Sequence, residues 1–111
     1  MTLPESNERG ALTEAVFYIL LALYTPMHGY RMMQTVRELS HDRVNLGAGT
    51  LYGAINTLLE KSWITPIAGE ADSRKKEYEI TALGRSIIES ELLRLQELVE
   101  TGKRIAGGRT L

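Results

Sequence analysis

Apolar residues recur along this chain with two different periods, and the switch between them marks out its elements. The run AVFYILLALY, Ala15 to Tyr24, is apolar almost all round. Thr13 can cap a helix that begins there, and Glu14 suits its first turn. Pro26 limits that helix to about Tyr24, because the residue before a proline avoids helical angles. Gly29 opens a second helix, from Tyr30 to about Leu39. After the loop SHDRVNLG a third helix is expected from about Ala48 to Lys61, since Leu51, Ala54, Ile55, Leu58 and Leu59 have the spacing of one buried face. Beyond it the period shortens to two. Trp63 to Ile67 is a β-rich run whose Pro66 fits an edge strand. Lys76, Tyr78 and Ile80 then alternate with Glu77 and Glu79, as in a strand with one face covered. Thr81 can cap a final helix from about Ala82, roughly 20 to 24 residues and so about 30 to 36 Å long.

Three helices, a β-hairpin and a terminal helix predict a mainly α (α+β) fold, a winged helix-turn-helix with a long C-terminal dimerisation helix. The expected divisions are a flexible arm over 1–11, the winged helix over 12–81, the dimerisation helix over 82–106 and a frayed tail over 107–111. The first helix needs two neighbours, because covering one small core takes only one apolar stripe. The last helix shows Leu83, Ile87, Ile88, Leu92, Leu95, Leu98 and Val99, with Leu93 outside the stripe. That face runs past the winged-helix body, and a second copy of the chain is its simplest cover. The expected homodimer interface is Val16, Ile19, Leu20, Ile88, Leu92, Leu95 and Val99.

Composition narrows the chemistry. The chain has 111 residues, 43% of them hydrophobic, enough for one domain with a core. Its net charge is −1, so any affinity for nucleic acid must come from segregated charge. With no Cys, disulfides, thiolate metal sites and cysteine nucleophiles are excluded, and His28 and His41 alone do not make a metal centre. No metal, cofactor or catalytic residue is expected: Glu89, Glu91, Glu97 and Glu100 read as carboxylates on one solvated helix with no His or nucleophile beside them. Ala15 to Tyr24 is about half of the roughly 20 residues a membrane helix needs. The polar start MTLPESNERG has no signal-peptide pattern. A soluble, cytoplasmic protein without a membrane partner is the expectation.

The candidate chemistry lies on the third helix and the hairpin. Gly49, Tyr52, Gly53, Asn56 and Glu60 form one outward stripe, and no Lys or Arg occurs between Val44 and Glu60. The glycines allow close backbone approach. Thr50, in the first turn, suits a phosphate, Tyr52 can donate to one, and Asn56 can pair with adenine edges. Attraction to double-stranded DNA would come from Arg74, Lys75 and Lys76 at the hairpin tip, aided by Arg31, Arg37 and Arg43. Glu70, Asp72 and Glu77 weaken that field. His28 suits a local hydrogen bond in its turn, Gly29 relieves that turn, Tyr30 packs inward, and Trp63 anchors the hairpin. Phe17, Tyr18 and Tyr24 with Leu92, Leu95 and Val99 are candidates to line a pocket for a small hydrophobic or aromatic effector, although aromatics at helical spacing are more often packing. Alternative readings are a winged-helix protein–protein adaptor without sequence-specific DNA binding, which fits the uncharged third helix, and, less well, a metal sensor or a small enzyme.

TPMHGYRMMQTV, GAGTLYGAINTLLEKSWI and SRKKEYEITALGR together resemble, in order and spacing, the PadR family of bacterial transcriptional regulators, over roughly residues 12–100. The length is similar to that of the short subfamily with a single C-terminal helix. The resemblance implies a homodimeric repressor at a palindromic operator, with Thr50, Tyr52 and Asn56 in the reading helix (47–61) and Arg74, Lys75 and Lys76 in the wing (68–77). It also implies release by a small molecule in some members. The chain departs from the family pattern at Gly47-Ala48-Gly49, where Ser-Pro-Gly is usual, and at about Asn56 or Thr57, where a basic residue is common and neither is basic here. Ser62 stands in place of Gly, and Glu77 in place of a Tyr pair.

Overall fold

The computed structural model describes residues 11–67 and 75–107. Its elements run α1 (Glu14–Ala22), β1 (Met27–His28), α2 (Gly29–Leu39), α3 (Ala48–Glu60), β2 (Ile64–Pro66), β3 (Glu77–Ile80) and α4 (Ala82–Ala106). The sheet order is β1-β3-β2, antiparallel throughout, with Met27 opposite Tyr78 and Ile64 opposite Ile80. A helical domain edged by this small sheet is the expected winged helix. The arm up to Gly10, Arg74 and the rest of 68–74, and the tail from 108 lie outside the described residues.

Local chemistry explains most element ends. The Thr13 hydroxyl accepts from Val16 N–H at 3.2 Å, and the Thr81 hydroxyl from Gly84 N–H at 3.0 Å, so both caps satisfy a donor with no intrahelical partner. His28 caps α2 in the same way, its Nδ1 accepting from Arg31 N–H at 3.2 Å. The end of α3 is a Schellman turn: Ser62 N–H donates to Leu59 C=O and Trp63 N–H to Leu58 C=O, both at 3.0 Å. Ser62 sits there with φ 62°, a conformation glycine adopts more easily.

The core joins Val16, Ile19, Leu20 and Leu23 of α1 and the turn after it to Met32 and Val36 of α2. Leu51, Ile55 and Leu58 of α3, Ile64, Ile80 and Ile88 complete it. Four residues expected at a dimer interface are therefore misassigned. Val16, Ile19, Leu20 and Ile88 are 6%, 0%, 0% and 1% exposed within a single chain. Within the chain, α4 is a second neighbour of α1 beside α2. Tyr30, expected inward, is 62% exposed, because Gly29, Met32 and Val36 form the buried face of α2 and Tyr30 lies beside it. β1 is not anticipated by the sequence pattern; two residues become a strand only because β3 is there to pair with them.

α4 has two faces. Gly84, Ile88 and Glu91 are buried against the domain, with Leu95 half-buried on the same stripe. Leu83, Leu92, Leu93, Leu98, Val99 and Ile105 are exposed. Glu91 is not the solvated carboxylate its type suggests. Its Oε2 accepts from Leu12 N–H at 3.2 Å and from Arg94 Nη2 at 2.6 Å, while its Oε1 accepts from Arg94 Nε at 2.8 Å.

Candidate nucleic-acid interface

Burying Leu51, Ile55 and Leu58 fixes which side of α3 looks outward. Gly49, Thr50, Tyr52, Gly53 and Asn56 all fall on the exposed side. Nothing lies within 4 Å of where a side chain would start at Gly49 or Gly53, so the helix backbone there is open to a surface brought against it. Gly47, the N-cap, supplies no side-chain hydrogen bond, leaving first-turn N–H groups free of a side-chain partner. The half-buried Thr57 donates its hydroxyl to Gly53 C=O at 3.2 Å.

Tyr52 differs from its neighbours on the stripe. It is 39% exposed, and the tip of its ring rests against Gly29, at the start of α2. Tyr78 of β3 is close to it. Burial, and then the neighbouring Tyr52 hydroxyl, push the Tyr78 phenol above its ordinary pKa. Gly29 is thus present for space and not to relieve a turn, since its φ is not in the left-handed region.

The cations divide into committed and uncommitted groups. Arg37 Nε lies 3.4 Å from Asp42 Oδ1, and Arg43 pairs with Glu14, so two of the three arginines expected to assist attraction are engaged. Arg85 stacks on the Tyr24 ring at 4.4 Å, and Lys61 lies 5.5 Å from the Trp63 ring centre. Arg31, Lys75 and Lys76 make no ion pair with a described residue. Lys75 is exposed and Lys76 half-buried, at the foot of β3. Arg74, the third residue of the expected basic tract, lies outside the described residues. An open depression of about 610 Å³ runs along α2, lined by Arg31, Gln34, Arg37, Glu38, His41 and Asp42. Its charges are mixed, and sequence spacing does not single it out.

On the other side of the domain, Phe17 and Tyr18 pack edge to face with ring centres 5.9 Å apart, both half-buried against the core. Leu92 and Val99 are exposed and Leu95 is half-buried. Trp63 packs on the core, and its carbonyl accepts from Thr81 N–H at 3.0 Å, which ties the hairpin to the start of α4. Among the described residues no group of three or more His, Cys, Asp or Glu is placed to hold a metal, and no helix is long and apolar enough to cross a membrane.

Comparison with known proteins gives a consistent answer. Residues 18–90 match the model of a family described as "Transcriptional regulator PadR-like family". A transcriptional regulator from Clostridium thermocellum is similar in structure, with TM-score 0.62 and 25% identity over 86% of this chain and 93% of that one. A PadR family transcription regulator from Clostridium difficile R20291 shares the fold at TM-score 0.64, with 23% identity over 81% of this chain and 97% of that one. An uncharacterised 37.1 kDa protein of transposon TN4556 from Streptomyces fradiae is 34% identical over 79 residues, 70% of this chain. The match spans 22% of the length of that relative.

Proposed function

Because the chain belongs to the PadR-like family of transcriptional regulators, we propose that it is a repressor that binds a palindromic operator in double-stranded DNA as a homodimer. In this reading α3, with its flanking residues 47–61, enters the major groove, and the wing, 68–77, lies along the backbone. Thr50 and Asn56 meet the groove, with Tyr52 between them. Arg74, Lys75 and Lys76 draw phosphates, and each phosphate neutralised releases counterions. The observation that carries the reading is the exposed α3 face, free of Lys and Arg and with two open glycines, together with Arg31, Lys75 and Lys76, which make no ion pair with a described residue.

Residues 82–106 serve as the dimerisation helix in the same reading. Support comes from Leu92, Leu98 and Val99, which are 49%, 54% and 54% exposed on one helix. Exposed leucines in a row mark an interaction surface more often than a solvated one. A two-fold dimer also pairs the two reading helices with the two halves of a palindrome. Release by a small hydrophobic or aromatic effector would use the region beside Phe17, Tyr18, Leu92 and Leu95, where the half-buried aromatic pair supports the assignment.

Nuclease footprinting on DNA upstream of the chain's own coding region tests this reading. A protected stretch with two symmetric halves is expected. Leu92→Glu with Val99→Glu should convert the dimer to monomer in sedimentation and abolish protection at the same protein concentration. A stable dimer that protects no DNA would instead favour the adaptor.

A further inference from the structure

The outward stripe of α3 is open at Gly49, Gly53 and Asn56, but at Tyr52 it is engaged by the protein itself. A Cβ on Gly29 would stand 2.6 Å from Tyr52 Cζ and 3.0 Å from its Cε1, so only glycine leaves room for the ring. Gly29 follows β1 directly, and Met27 of β1 pairs with Tyr78 of β3, whose other neighbour is Pro66 of β2. Tyr52 therefore sits where α2, α3 and the central strand of the sheet meet. Leu51, Ile55 and Leu58 hold α3 to the core from its inner side. Its first turn has no side-chain cap, and it has no charged residue before Glu60. On its outer side the Tyr52 ring meets the start of α2, next to β1 and the sheet that β1 joins.

We propose that Tyr52 and Gly29 form a pin and socket that fixes the tilt of α3 against the start of α2 and the β1 strand beside it, and that Tyr52 governs operator choice through this joint, as a positioning residue, not by a DNA contact of its own. The inference rests on the DNA-binding reading above. A reading helix that rotates by a few degrees moves Thr50 and Asn56 off their base edges, while the phosphates still meet the same cations. Selectivity should then be lost before general affinity.

The test takes a preferred duplex selected from random sequence with the native protein, and compares it with a scrambled duplex. Gly29→Ala should lower the ratio of preferred to scrambled affinity at least tenfold, leaving scrambled-duplex affinity and salt dependence unchanged. Tyr52→Phe keeps the ring and should hold the ratio within twofold. Gly29→Ala combined with Tyr52→Ala should be no worse than Tyr52→Ala alone, because the socket matters only to the pin. Should Gly29→Ala fail to fold, Tyr52→Leu removes the pin without inserting an atom and carries the same expectation as Gly29→Ala. In the free protein, proton cross-relaxation between the Tyr52 ring and the Gly29 Cα protons should be seen. Its absence overturns the joint, as does a Tyr52→Phe loss equal to that of Gly29→Ala. If selection with the native protein enriches no duplex, the DNA-binding reading itself fails, and the joint's role in selectivity with it.

Discussion

Glu91 is the residue at which side-chain type and helical spacing disagree most. It lies three residues after Ile88 and four before Leu95, on the stripe that begins at Gly84, so spacing places it inward. Its charge argues for solvent, and the structure follows the spacing: Glu91 is 4% exposed. Arg94 makes this tolerable by donating two hydrogen bonds, and Leu12 N–H adds a third. Arg94 chiefly, against an opposing effect of burial and with help from Leu12, holds the carboxyl below its ordinary pKa. A depressed folded value contributes stability above the unfolded pKa and loses it as pH falls through the folded one. The Glu91 contribution should therefore be complete at neutral pH and fade below about pH 4.3, the ordinary glutamate value. Glu91→Ala orphans Leu12 N–H and should cost about 1–3 kcal/mol at pH 7, with a smaller deficit at pH 3, measured by urea unfolding at both. Tyr30 teaches the same lesson in reverse, since an aromatic type suggested burial where the Gly29, Met32, Val36 spacing did not.

Among the elements, the threonine caps and the two hairpin strands were legible, and β1 was not. Thr13 and Thr81 announce their helices because a hydroxyl oxygen reaches a backbone N–H three residues ahead, a contact sequence alone specifies. The departure at Ser62 is also intelligible: the family's usual glycine there suits a Schellman turn, which Ser62 enters at φ 62°. β1 was illegible since its partner lies about fifty residues away in β3. Nor does spacing reveal how closely α4 approaches the hairpin. Gly84 lies so near that a Cβ would collide with the Trp63 carbonyl and stand 2.6 Å from Ile80 Cγ1. Backbone cannot yield as a flexible side chain can. Gly84→Ala should destabilise the fold by about 1–3 kcal/mol despite alanine's better helix propensity, seen as a lower midpoint in thermal unfolding.

Over the whole molecule, principal extents of 59 × 29 × 27 Å describe a body with one long helix leaving it. The 25 residues of α4 span about 37 Å, more than the width of the body. The sequence revealed that this helix has too much apolar surface for one domain. It could not divide that surface, because which leucines meet α1 depends on the angle at which α4 packs. Hence Ile88 belongs to the core while Leu92, Leu98 and Val99 remain outside. The uncharged α3 face was legible from spacing. The neutralisation of Arg43 by Glu14, 29 residues away, required the fold. With Arg37 and Arg43 engaged, the long-range attraction proposed for DNA would rest on Arg31 and the wing. Exposed ion pairs are weak, but each cancels the field of its cation. The most direct test is the fluorescence anisotropy of labelled upstream DNA and a scrambled duplex, titrated at several salt concentrations with native protein and with Arg74, Lys75 and Lys76 changed to Ala. The expected result is preference for the upstream duplex, affinity falling linearly with log salt, and a slope shallower by about 0.9 for each phosphate contact the wing variant loses. Equal, weak binding of both duplexes, with the same slope for native protein and variant, would contradict a basic wing that attracts and a neutral helix that selects.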